Sequence, residues 1–156
     1  MELEEFNKSI ITAFTNCIDG KDAYTNGHSY RVPALEYGSS FSRAAEVRTP
    51  SWRRVIVSGT ASIAPQSHAV AHQDDIAAQI DCTMKAVAAI YESRGLSWKD
   101  VTGALIYLKD ESYQPVWEDW LAAHPDYPRA HARTIVADVC RPEWLFEIES
   151  DATQWI

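Results

Sequence analysis

The sequence predicts an α+β fold: one mixed sheet with two helices packed on a single face. Three observations carry this. Short runs of apolar and β-branched residues recur at Phe41–Val47, Trp52–Ser62, Val101–Leu108, Thr134–Cys140 and Trp144–Ile148. Two longer stretches, Asp74–Arg94 and Tyr113–Ala123, space their apolar residues at helical intervals. The resulting order, β-β-α-β-α-β-β after an N-terminal extension, mixes local hairpins with strands separated by helices. A sheet with helices on one face leaves the other face in need of cover, and self-association is the usual way to supply it.

The extension comes first. Leu3, Phe6, Ile10, Ile11 and Phe14 give Glu2–Phe14 the stripe of an amphipathic helix. Asp19–Ser40 is rich in Gly, Asn, Ser and Tyr and reads as an extended arm. The division is therefore an N-terminal helix and arm over residues 1–36 and a folded domain over 37–156. In the second strand Val55, Ile56 and Val57 are all apolar, so both faces there should be covered. Gly59 would weaken a plain strand and marks a bulge or a close backbone approach. Ala64–Gln73 is a loop.

The first helix has the strongest pattern. Ile76, Ile80, Met84 and Val87 form its inner stripe, extended by Ile90 and Tyr91. Asp74 and Asp75 suit its positive N-terminal end, and Gly95 stops it. Apolar residues on both faces mark Val101–Leu108 as a buried strand, and Val116, Trp120 and Leu121 should point inward from the second helix. Two prolines in His124–Arg129 end that helix. Arg141-Pro142-Glu143 separates the last two runs, so the simplest arrangement is an antiparallel pair around a turn.

That pairing would bring Arg133 and Glu147 to one cleft. An arginine fork holds a carboxylate with two hydrogen bonds, and a partly desolvated glutamate carries a proton near neutral pH. A small anionic metabolite is the ligand such a pair would take. The alternation of Phe146 and Ile148 with Glu147 and Glu149 fits equally a half-exposed strand with polar residues outward.

Composition narrows the function. The chain has 156 residues, 46% hydrophobic and 23% charged, as one globular domain would. A net charge of −8 argues against a nucleic-acid partner, which requires a basic surface. Cys17, Cys82 and Cys140 are odd in number and widely spaced, so neither a disulfide framework nor a zinc site is indicated. Cys140 reads as a small buried thiol. His68 and His72 precede Asp74 and Asp75, but no further ligand completes a metal site. An acidic N-terminus and the lack of any apolar run of about 18 residues point to a cytoplasmic protein without a membrane partner.

From Phe41 onward a series of segments occurs in order: Phe41-Ser42-Arg43-Ala44, Val57-Ser58-Gly59, Asp74 through Gln79, Gly95-Leu96-Ser97-Trp98-Lys99-Asp100-Val101, Ile106-Tyr107-Leu108-Lys109-Asp110, Ala132-Arg133-Thr134 and Glu147-Ile148-Glu149. In this order they resemble the YjgF/RidA family of reactive-intermediate deaminases. The resemblance implies a chorismate-mutase-like fold, a trimeric barrel and three inter-subunit clefts for a small carboxylate metabolite, with no cofactor or metal. It implies catalytic roles for Arg133 and Glu147. It also implies a ligand-binding surface that includes Arg133, Phe41, Gly59 and Cys140. The reaction implied is hydrolysis of imine or enamine intermediates.

Two departures matter. Phe41 stands where the deaminase branch usually has tyrosine, and the turn Arg141–Glu147 is one residue shorter than the family's. These features, with the FSRA, SGTASI and CRPEWLFEIE segments, resemble the C-terminal half of chorismatases, enzymes about twice as long that act on an enolpyruvyl ether. There Glu147 would be the acid, and Cys140 would match the cysteine of one product class. A non-catalytic carboxylate binder is the third reading.

Overall fold

The computed structural model describes residues 44–64 and 69–156. The expected N-terminal helix, the arm, Phe41 and His68 lie outside the described residues. The described elements are β1 (Ala44–Arg48), β2 (Trp52–Ala61), α1 (Ile76–Glu92), β3 (Val101–Leu108), α2 (Gln114–Ala123), β4 (Ala132–Val136) and β5 (Phe146–Trp155). The strands form one mixed sheet in the order β1-β2-β5-β3-β4.

α1 forms where its apolar stripe predicts. Asp75 caps it by accepting from Ala78 N at 3.0 Å. Ile80, Val87, Ile90 and Tyr91 are fully buried and Met84 nearly so. Burying each such side chain contributes about 1.5–3 kcal/mol before entropy is subtracted. Gly95, at φ +65°, turns the chain so that Leu96 N reaches Tyr91 O and Leu96 returns to the core. In α2 the innermost residue is Trp117, with Leu121 beside it; Val116 and Trp120 are only partly buried. Trp117 packs against Phe146 of β5, with ring centroids 5.3 Å apart.

The expected antiparallel pairing of the last two strands does not occur. β4 runs parallel to β3, and β5 is antiparallel to both β3 and β2. The reason is α2: a strand, a helix and a second strand make a crossover that returns the chain parallel to where it started. This carries β4 to the sheet edge. The connection over residues 137–145 then crosses back and lets β5 enter between β2 and β3. Two boundaries move as well. β4 ends at Val136, four residues before Cys140, and β5 continues seven residues past Ile148. In that continuation small residues face inward: Ala152 is fully buried, and Ser150 bonds the hydroxyl of Tyr91 at 2.6 Å.

The helices leave one sheet face open, and Ile56 on that face is 42% exposed. Among the described residues the expected two-sided cover of β2 is therefore not found. Val47 and Ile135, 44% and 40% exposed, lie on the same face, with charged residues of β2 and β5 between them. No helix among the described residues is long and apolar enough to cross a membrane.

Candidate functional site

β2 carries a bulge. Val57 pairs with Ser150 and Thr60 with Ile148, so β2 spends three steps where β5 spends two. The irregularity falls at Ser58-Gly59, where the sequence placed it. A close approach accompanies the glycine: an ideal Cβ on Gly59 would lie within the van der Waals shell of Glu147 Oε1 and 3.2 Å from its Cδ, so any side chain there would have to push the carboxyl aside. The Glu147 carboxyl thus rests over a backbone position that has no side chain.

Glu147 is held at this height from behind. Gln79, fully buried on α1, donates through Nε2 to the carbonyls of His72 and Glu143, both at 3.1 Å. Its Oε1 accepts from Leu145 N at 2.9 Å. One amide therefore pins the chain on both sides of Trp144, three residues before Glu147. Trp144 itself closes a small second core with Ala61 and Ile63, and Val70 and Val139 pack against it. In the sequence Gln79 stands out only as part of a helix start; a polar residue on the inner stripe of an apolar helix is the signal that could have found it.

Arg133 is exposed on edge strand β4, and its Nη1 donates to Ala132 O at 2.9 Å. Tyr107 of β3 pairs with Glu147 on one side and Ile135 on the other, while Leu105 pairs with Glu149 and Arg133. Directly opposed residues share a face, so Arg133, Glu147 and Glu149 all rise from the open side. Arg133 and Glu147 are nonetheless two strands and two residues apart, about 10 Å across the sheet and about 7 Å along it. One chain does not bring them together. The cause is the insertion of β3 between the strands that carry them.

Tyr107, which sequence reasoning did not single out, stands beside Glu147 and Glu149 on the open face. Its hydroxyl donates to Glu149 Oε1 at 2.6 Å, and that hydrogen bond pushes its pKa up to about 12. Cys140 is a free thiol, exposed on the connection after β4, which corrects the expectation of a buried one. The shorter β4 is the reason.

Residues 34–154 match the family model described as Endoribonuclease L-PSP. Among solved structures, the chain is similar to a Mycobacterium tuberculosis member of the YjgF/YER057c/UK114 family. That match has 27% identity, covers 80% of this chain and 93% of that one, and has a TM-score of 0.57. RidA from an Antarctic Psychrobacter is 22% identical over 76% of this chain and 89% of its own, with a TM-score of 0.58. TdcF from E. coli, in a structure with bound serine, is 19% identical over 74% and 89%, also at 0.58. No protein of curated function matches the sequence.

Proposed function

The chain belongs to the Endoribonuclease L-PSP family, which includes YjgF and RidA, and from that premise we propose that it binds a small carboxylate metabolite in clefts between subunits of a homotrimer. The reaction proposed is hydrolysis of an imine or enamine. Arg133 grips the carboxylate with its two-bonded fork. Water adds to the imine carbon and the carbon–nitrogen bond breaks, giving a 2-oxoacid and ammonia. Glu147 takes the proton from the attacking water and returns it to the departing nitrogen.

The observation that carries this reading is the Glu147 carboxyl seated over Gly59, on the same open face as Arg133. Because the two are separated within one chain, a cleft completed by a second copy is the arrangement in which both serve one ligand. The exposed apolar residues on that face support such an assembly. The folded domain is assigned to 37–156 and the protein to the cytoplasm. Phe41 in place of the usual tyrosine favours a second reading, a carboxylate binder without catalysis.

The test is calorimetric binding of 2-oxoacids together with ammonia release from imine-generating mixtures. Arg133→Ala should weaken binding about tenfold or more, the loss of one charge-assisted hydrogen bond or two. Glu147→Gln should lower turnover more than affinity. Parent-like binding by Arg133→Ala places the carboxylate elsewhere. Ligand binding by the parent without ammonia release moves the binder reading ahead.

A further inference from the structure

Resting on the reading of Arg133 as the carboxylate anchor, we propose that Glu149, held by Tyr107, is a specificity residue that selects ligands carrying a cationic nitrogen beside their carboxylate. Leu105 supplies the geometry. It stands in register with Arg133 on β4 and with Glu149 on β5, so the three residues form a single row across the open face. The two charged residues start about 10 Å apart at the backbone, on either side of a half-buried apolar floor. Their side chains are long enough to lean toward each other over Leu105.

The two charges do not satisfy each other. Arg133 donates to its own neighbour's carbonyl, and Arg133 and Glu149, both among the described residues, form no ion pair. Glu149 is instead fixed by the Tyr107 hydroxyl at Oε1, which leaves Oε2 without a partner among the described residues. A carboxylate held at one place by a neutral donor is a ready acceptor for an ammonium or iminium N–H.

The charge balance points the same way. Glu147 and Glu149 share this face with Arg133. A ligand with a second carboxylate would set it against two like charges, whereas a zwitterion meets an opposite charge at each end. The raised pKa of Tyr107 keeps its proton on, so it remains a donor to Glu149 at neutral pH.

L-serine and L-glycerate are matched probes: they share a carboxylate and a hydroxymethyl group and differ by an ammonium against a hydroxyl. In calorimetric titrations the parent protein should bind serine about tenfold or more tightly than glycerate, the worth of one charge-assisted hydrogen bond. Glu149→Gln should bring serine down to the affinity of glycerate. Tyr107→Phe, which removes only the clamp, should reduce the preference in part. Melting curves of both variants check that they fold. Equal binding of the two probes by the parent, no binding of either, or a preference that survives in Glu149→Gln overturns the inference. Loss of both probes in Arg133→Ala upholds the anchor whatever Glu149 does; undiminished binding there overturns the anchor itself.

Discussion

The carboxyl of Glu147 occupies the space that a side chain at Gly59 would need. The two residues lie on neighbouring strands that a one-residue bulge throws out of step. A strand that bulges and lacks a Cβ offers both a shallow seat and close backbone, and the glutamate sits in that seat.

Gly59→Ala should therefore cost stability and displace Glu147. Rigid overpacking costs about 1–3 kcal/mol, and the cost here should fall at or below the low end, because the atoms met are the end of a flexible side chain. Glu147→Ala should remove most of that cost, so the double variant should be more stable than Gly59→Ala alone. Thermal unfolding of the four proteins in the cycle measures the coupling. Additive effects would mean that the carboxyl moves aside without resistance.

Gln79→Leu keeps the volume and deletes three hydrogen bonds. The amide of Leu145 and the carbonyl of Glu143 would lose the Gln79 amide, while the carbonyl of His72 keeps Asp75 N; an unsatisfied buried group costs about 1–3 kcal/mol. A loss of about 3 kcal/mol or more in urea unfolding is expected, with faster hydrogen exchange at Leu145. If only global stability fell and Leu145 exchange did not rise, the pinning role would be wrong.

Alkaline pH should unfold the protein. Burial holds the phenols of Tyr91 and Tyr127 well above the ordinary value of 10.0. The folded chain thus keeps protons that the unfolded chain releases. Stability is complete below about pH 10 and declines as pH rises beyond it. Urea unfolding across that window should show the slope, and Tyr127→Phe should flatten it. Half-buried Tyr107 should titrate near 12 by near-ultraviolet absorbance, moving down toward 10 in Glu149→Gln.

Light scattering after gel filtration should give the mass of three chains of 17.5 kDa. Ile56→Glu places a charge on the open face, 42% exposed in the single chain, and should lower that mass while circular dichroism stays unchanged. A parent protein of monomer mass at micromolar concentration would remove the inter-subunit cleft.

Much of this fold was legible because its signals are local. The stripe from Ile80 to Tyr91 and the stop at Gly95 need only neighbouring residues to be read. Gly59 announced the bulge because glycine inside an apolar strand is otherwise a loss. Strand order was not legible: Arg141-Pro142-Glu143 looks the same at a hairpin and on a longer connection, and nothing local says that β3 fills the gap. That one error also set Arg133 too close to Glu147. Trp117 escaped because Trp120 fits the helical spacing as well. The end of β5 escaped because Ser150 and Ala152 face the core without being bulky.

The sheet order gives β5 a second importance, during synthesis. In the described sheet it alone joins the β1–β2 pair to the β3–β4 pair, and it is the last of the five strands to leave the ribosome. Until Phe146–Trp155 emerges, the two halves share no strand pairing, and each exposes an unfilled edge. Ribosome-bound chains arrested before β5 should therefore be open to protease and dependent on chaperones. Completion of this one strand should convert them to the resistant state in a single step.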